Sequence, residues 1–129
     1  MAGRIPPEFA GHFLAFPEQP SYRGVCTYVV DGDTMDCLVD LGFNSYRYIT
    51  IRLRGVDTAE INSGDPIERA RAQEAKRFSM NAILGKHVEL HTWKDSQTFG
   101  RYVADVYYLL TGGGRGSLAI ALREAGHAL

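Results

Sequence analysis

Cysteine, tryptophan and net charge are all in short supply in this chain, and each shortage removes a class of protein. Two cysteines in 129 residues cannot build the disulfide framework of a small secreted domain, and Cys26 and Cys37 lack the clustered pairs of a zinc site. A net charge of −1 excludes a broad electrostatic grip on polyanions or membranes, although it leaves room for arginines gathered in one cleft. No apolar run is long enough to cross a membrane. The opening MAGRIPPEFAGHFLAF has neither a sustained hydrophobic region nor a small-residue cleavage site. We therefore expect a chain without a signal peptide, intracellular and cytoplasmic. Proline is scarce after the start, because four of the five lie within the first 21 residues. That distribution predicts an irregular arm over 1–21 and one folded domain over 22–129.

What is present has ordinary globular proportions, 45% apolar and 22% charged. The stretch VVDGDTMDC (29–37) places Asp31, Asp33 and Asp36 around a glycine between apolar runs. An Asp-Gly pair between alternating segments predicts a tight hairpin, since glycine accepts positive φ without penalty. With Asp31-Gly32 as the turn, Cys26 falls nearly opposite Cys37. A disulfide is one reading; in an intracellular chain we take both as small core residues. RGVCTYVV, DTMDCLVDLGF and SYRYITIRLRGV (45–56) then read as three strands, and HVELHTW and RYVADVYYLL as a fourth and fifth. Between them DPIERARAQEAKRFSMNAILG reads as a helix. Asp65 caps it, Pro66 takes the first helical position and Gly85 ends it, with Ala75, Phe78 and Ala82 on its apolar stripe. TGGGRG reads as a turn, and Ser117 caps a last helix, LAIALREAG. Five short strands with two or three helices predict an α+β fold, a five-stranded Greek-key barrel of the OB type.

Three segments carry the residues for chemistry: Asp33 after the hairpin glycine, IRLRGVDTAE (51–60), and FGRYVADVYY (99–108). Together they supply Asp33, Asp57 and Glu60 as acids, and Arg52 and Arg101 as planar cations. Hard carboxylate and carbonyl oxygens are the ligands that Ca²⁺ takes. Arginines beside a divalent ion suit a phosphodiester, whose transition state gathers charge on the phosphoryl oxygens. A carboxylate off the metal is placed to deprotonate water. Taken singly, each has a plain structural role: Asp57-Thr58 as a loop cap, Glu60 as a surface acid, Arg52 as a salt-bridge partner. Arg54 reads as a surface charge. His87, Glu89 and His91 read as a polar strand face rather than a metal site, and Trp93, Tyr107 and Tyr108 as core or cross-strand pairs.

VVDGDT, IRLRGVDTAE, FGRYVADVYY and LAIALREAGHA resemble, in order and spacing, the staphylococcal nuclease (thermonuclease) family over about residues 22 to 129. The resemblance implies Ca²⁺ held by the carboxylates of Asp33 and Asp57 and by the Thr58 backbone carbonyl, with Asp31 either as an acid behind the metal or as no more than a turn residue. It implies Glu60 as general base and Arg52 and Arg101 as the phosphate clamp, with Phe99 contacting substrate. It further implies cleavage of single-stranded or frayed DNA and RNA with little sequence preference, leaving 3′-phosphate ends. Three departures bear on substrate grip. Ala59 stands where the family usually has proline, Thr98-Phe99 where it has lysine-tyrosine, and the sequence stops at Leu129 before the usual stacking tyrosines. We expect a monomeric Ca²⁺-dependent nuclease that grips nucleotide weakly. The competing class is a non-catalytic OB-fold module that binds nucleic acid or a protein partner.

Overall fold

The computed structural model describes residues 6–9, 20–93 and 101–129, with the Arg101 side chain outside that description. Among the described residues six strands form: β1 (Ser21–Asp31), β2 (Thr34–Asp40), β3 (Tyr46–Leu53), β4 (His87–Trp93), β5 (Arg101–Leu109) and β6 (Arg115–Ser117). They are joined by helices α1 (Pro66–Ile83) and α2 (Leu118–Glu124), and Pro7–Phe9 makes a short 3₁₀ turn. The sheet order is β3-β2-β1-β4-β5-β6, and a parallel β3–β5 pairing closes the first five strands into a mixed barrel. This is the α+β barrel the sequence predicts, with one addition. The turn read at TGGGRG runs at its end into β6, which folds back on β5 through Tyr107↔Ser117.

The long β1 makes closure feasible, because it pairs with β2 through Arg23–Asp31 and with β4 through Ser21–Val25. Inward residues of the strands (Cys26, Met35, Cys37, Ile51, Leu53, Leu90 and Val106) are fully or almost fully buried, and Leu118 and Leu122 of α2 pack among them. Cys26 lies opposite Cys37, and both are buried and free. The route to that register differs from the expected one. The turn residues are Gly32 and Asp33, flanked by the pair Asp31↔Thr34, and two irregularities in β1 restore Cys26↔Cys37.

Gly32 also has a different reason to be glycine. It is not among the positive-φ residues; instead a Cβ there would stand 2.8 Å from Ala75 Cβ and 2.9 Å from Thr58 Cγ2. Helix α1 sits that close because its buried edge is small until its last residue: Ala72, Ala75 and Ser79, with Ile83 at the end. The expected stripe is therefore rotated, with Phe78 and Ala82 only partly buried. The helix ends behave as read. Asp65 accepts from the Ile67 amide at 3.0 Å, Pro66 follows it, and Gly85 leaves with φ +73°. Ser117 accepts from the Ile120 amide at 3.3 Å to start α2. Among the described residues no helix is long and apolar enough to cross a membrane.

Candidate functional site

The β1–β2 turn, the end of β3 and the loop after it meet at Asp33. Its carboxylate is buried and held from three sides. Oδ1 accepts from the Thr34 hydroxyl at 2.9 Å, Oδ2 accepts from the Thr58 amide at 2.9 Å, and Arg52 Nη1 lies 3.3 Å from Oδ2. The Asp33 carbonyl in turn accepts from the Leu53 amide at 2.8 Å, so the turn is fixed to β3. Burial opposes ionisation of Asp33, but the hydrogen bond shared with Asp31, the Thr58 amide and the Arg52 charge outweigh it and hold the carboxyl below its ordinary value. Asp31 shows the complementary effect. Burial, then the shared hydrogen bond and the negative charge of Asp33, push it up to about 7.

Arg52 ties the acids together. Its Nη1 donates to the carbonyls of Val56 at 2.7 Å and Leu53 at 3.2 Å, and Nη2 donates to Asp57 Oδ1. The Asp57 side chain is 75% exposed against 11% for Asp33, so one guanidinium spans a buried and a solvated carboxylate. From the other side of the loop, Arg123 of α2 donates to the Gly55 carbonyl at 2.8 Å, and the Leu129 amide donates to the Asp57 carbonyl at 2.8 Å. Glu60 lies two residues beyond Thr58, exposed, and its side chain makes no polar contact among the described residues. Arg101 opens β5 opposite Thr50, placing its backbone two pairs before Arg52↔Val103. Phe99 and Thr98 lie outside the described residues.

The structure therefore brings Asp31, Asp33, Arg52, Asp57 and Thr58 to one point, with Glu60 on the same loop. Among the described residues no three His, Cys, Asp or Glu side chains converge as a ready cluster. The donor chemistry nevertheless fits a hard divalent cation. The donors named by the resemblance are all oxygens, and Asp31 Oδ1 is buried with no hydrogen-bond partner. Such an orphaned acceptor beside a second carboxylate is relieved by a cation.

Several supports were missed in the sequence. Ser79 donates its hydroxyl to the Gly32 carbonyl at 2.7 Å, and Thr34 is buried against Asp33. A serine on the small-residue edge of α1 was the available signal. Arg54 is drawn away from the site, with its guanidinium 4.0 Å above the Trp93 ring and 3.4 Å from Asp105. On the outer face of β4, Glu89 binds His91 at 2.6 Å and also Arg115, which makes this a polar strand face.

Comparison with known proteins places the chain in a family. The family model described as "Staphylococcal nuclease homologue" matches residues 50–129, which include Arg52, the Asp57–Glu60 loop, Arg101 and both helices. The chain is also 34% identical over 122 residues to the protein named "Probable endonuclease LCL3" of Coccidioides posadasii (strain C735). That match covers 81% of this chain and 38% of the relative, so the chain spans under two fifths of its length. Asp31 and Asp33 precede the family match, yet the fold delivers them to the same point as Arg52 and Asp57. With its barrel closed and more than half its length matched, the chain belongs to the staphylococcal nuclease homologue family.

Proposed function

We propose that this protein is a Ca²⁺-dependent nuclease that hydrolyses phosphodiester bonds of DNA and RNA, in single-stranded or frayed form, with little sequence preference. The observation that carries the reading is the Arg52 guanidinium spanning Asp33 and Asp57, with Glu60 three residues past Asp57 and unengaged among the described residues. Asp33, Asp57 and the Thr58 carbonyl would hold the ion, with Asp31 behind them. When bound, the cation neutralises charge on the phosphate and lowers the cost of ionising water.

The chain's own residues supply the rest. An ion pair to a carboxylate as exposed as Asp57 is worth under about 1 kcal/mol, so Arg52 can exchange Asp57 for a phosphate oxygen at little cost. Arg101 is the second cation for the same phosphate, and two planar forks match the equatorial oxygens of a five-coordinate phosphorus. Glu60 takes a proton from the attacking water. As the water oxygen bonds to phosphorus, the bond to the 5′-oxygen breaks, and that oxygen takes a proton from solvent water and leaves as the 5′-hydroxyl while a 3′-phosphate remains. Phe99 is assigned to the flanking nucleotide.

The competing reading is a non-catalytic OB-fold module that binds nucleic acid or a protein partner through the same barrel. The two readings separate in one assay. Labelled single-stranded DNA and RNA are incubated with Ca²⁺ or with chelator, and the ends are typed by phosphatase sensitivity. Ca²⁺-dependent products with 3′-phosphates support the nuclease; binding without products in either condition supports the module.

A further inference from the structure

The outer face of β3 carries, besides Arg52, a row of side chains that the site does not use. Side chains alternate along a strand, so Tyr46, Tyr48, Thr50 and Arg52 share the face opposite Ile49, Ile51 and Leu53. Tyr46 and Tyr48 are 61% and 70% exposed, and neither ring is stacked or hydrogen-bonded among the described residues. At the tip of the same hairpin Phe43 is completely exposed, in a left-handed backbone conformation (φ 54°) that costs a non-glycine residue energy. A soluble barrel gains nothing from a row of bare rings on one face, and the row leads directly to Arg52.

Beyond Tyr46 the face continues into a shallow groove that also holds Arg23 of β1, Asp40 of β2 and His87 of β4. Arg23 forms no ion pair among the described residues, so its charge is available. Two acids stand in register beside Arg23, Asp40 on β2 and Glu89 on β4, and Glu89 is already paired with Arg115 and His91. Asp40 accepts from the Gly42 amide at 2.8 Å, and Asp36 accepts from the Thr50 hydroxyl at 2.7 Å. The spacing also has a meaning. Same-face positions on a strand lie about 6.7 Å apart, twice the stacking step of about 3.4 Å. One flat base therefore fits between two neighbouring rings.

We infer that the outer face of the β2–β3 hairpin is a track for single-stranded nucleic acid, seating bases on Tyr46 and Tyr48 and a phosphate at Arg23, and leading the strand to Arg52. The inference rests on the nuclease reading of that site and adds the surface that selects its substrate. A paired duplex keeps its base faces stacked on one another and cannot offer them to the rings, whereas an unpaired strand can. Stacking does not discriminate strongly among bases, so the track favours unpaired strands without a sequence code. Other occupants of an exposed aromatic face, above all a second copy of this chain, give different results in the same experiment.

The test uses the full chain carrying Glu60→Gln, with Ca²⁺ and fluorescein-labelled oligonucleotides followed by anisotropy. Adding Tyr46→Ala and Tyr48→Ala should weaken binding of a ten-nucleotide strand by at least about tenfold, while a dinucleotide changes by less than about twofold, since it spans less of the track. Tyr46→Phe with Tyr48→Phe should restore the affinity, because the ring face and not the hydroxyl does the binding. Arg23→Gln should lower the salt slope of the long strand by about one. Leu109→Ala, on an equally exposed residue of β5, serves as the control and should change nothing. If the chain binds the ten-nucleotide strand and the double alanine variant binds it equally well, the track is wrong while the nuclease reading stands. If the unsubstituted chain neither binds nor cuts any strand, both fall. If the alanine variant loses a dimer seen by sedimentation and keeps its oligonucleotide affinity, the face belongs to a second copy and the inference is overturned.

Discussion

The hydroxyl of Ser79 on α1 donates to the carbonyl of Gly32 at the hairpin tip across 2.7 Å, so the helix holds the turn that presents Asp33. The contact is possible because Gly32 has no Cβ and because Ala75 and Thr58 close the space around it. The geometry of the acidic site therefore depends on an interface that contains none of the acids.

Gly32→Ala should test that dependence. A methyl group would collide with Ala75 and Thr58, and overpacking of this kind costs about 1–3 kcal/mol. Ser79→Ala should cost about 1 kcal/mol through the lost hydrogen bond. Urea unfolding gives both values. A Gly32→Ala variant as stable as the parent would mean that the helix does not press on the turn.

Arg52 compensates a carboxylate that is only 11% exposed. Arg52→Ala removes that compensation and should destabilise by about 3 kcal/mol, the cost of leaving a buried charge unpaired. Adding Asp33→Asn to Arg52→Ala should recover much of the loss, because no unpaired charge then remains. A double variant no more stable than Arg52→Ala would place the effect in the carbonyl contacts to Leu53 and Val56 instead.

Calcium should raise the thermal midpoint if it binds the folded chain alone. At one hundred times its dissociation constant the ion adds about 2.7 kcal/mol, a shift of several degrees for a chain of this size. Asp33→Ala or Asp57→Ala should abolish the shift, and magnesium should give less of it, since its tighter octahedral demand suits this loose oxygen set poorly. Equal shifts in the parent and both variants would remove these residues from the ion site.

Glu89 gives a small effect of known sign. The His91 hydrogen bond, and then the Arg115 charge, hold its carboxyl below the ordinary value of 4.5. A depressed carboxylate contributes stability above its unfolded value and loses it as pH falls through the folded one. The side chain is 41% exposed, so the contribution at neutral pH is under about 0.5 kcal/mol after solvent screening. The gap between parent and Glu89→Gln should therefore be present at pH 7 and shrink as pH falls below 4.5. A gap that widens in acid would reverse the assignment.

Local signals in the sequence made most of the elements legible. Asp65-Pro66, Gly85 and Ser117 mark helix ends whose capping needs only neighbours in the chain. The five long strands follow from alternation. Contacts between distant segments were not readable in that way. The Asp-Gly pair pointed to positive φ at Gly32, whereas the requirement comes from Ala75 and Thr58, far along the chain. The α1 stripe was displaced because a turn with no side chain draws in Ser79 rather than Phe78. The strand β6 is only three residues long, too short to show a period. In the site, residue types and order identified Asp33, Arg52 and Asp57 as a group, but not that Arg52 would bridge the two acids or that Asp31 would leave an oxygen buried and unpartnered.

The central claim is that Glu60 takes the proton of the attacking water at the site organised by Asp33 and Arg52. Single-turnover cleavage of a labelled single strand by Glu60→Gln, in saturating Ca²⁺, measures this most directly. The substitution keeps the shape of the side chain and removes its basicity, so the rate should fall about 10²- to 10⁴-fold, with oligonucleotide affinity unchanged. A Glu60→Gln variant that cuts at the parent rate would contradict the account.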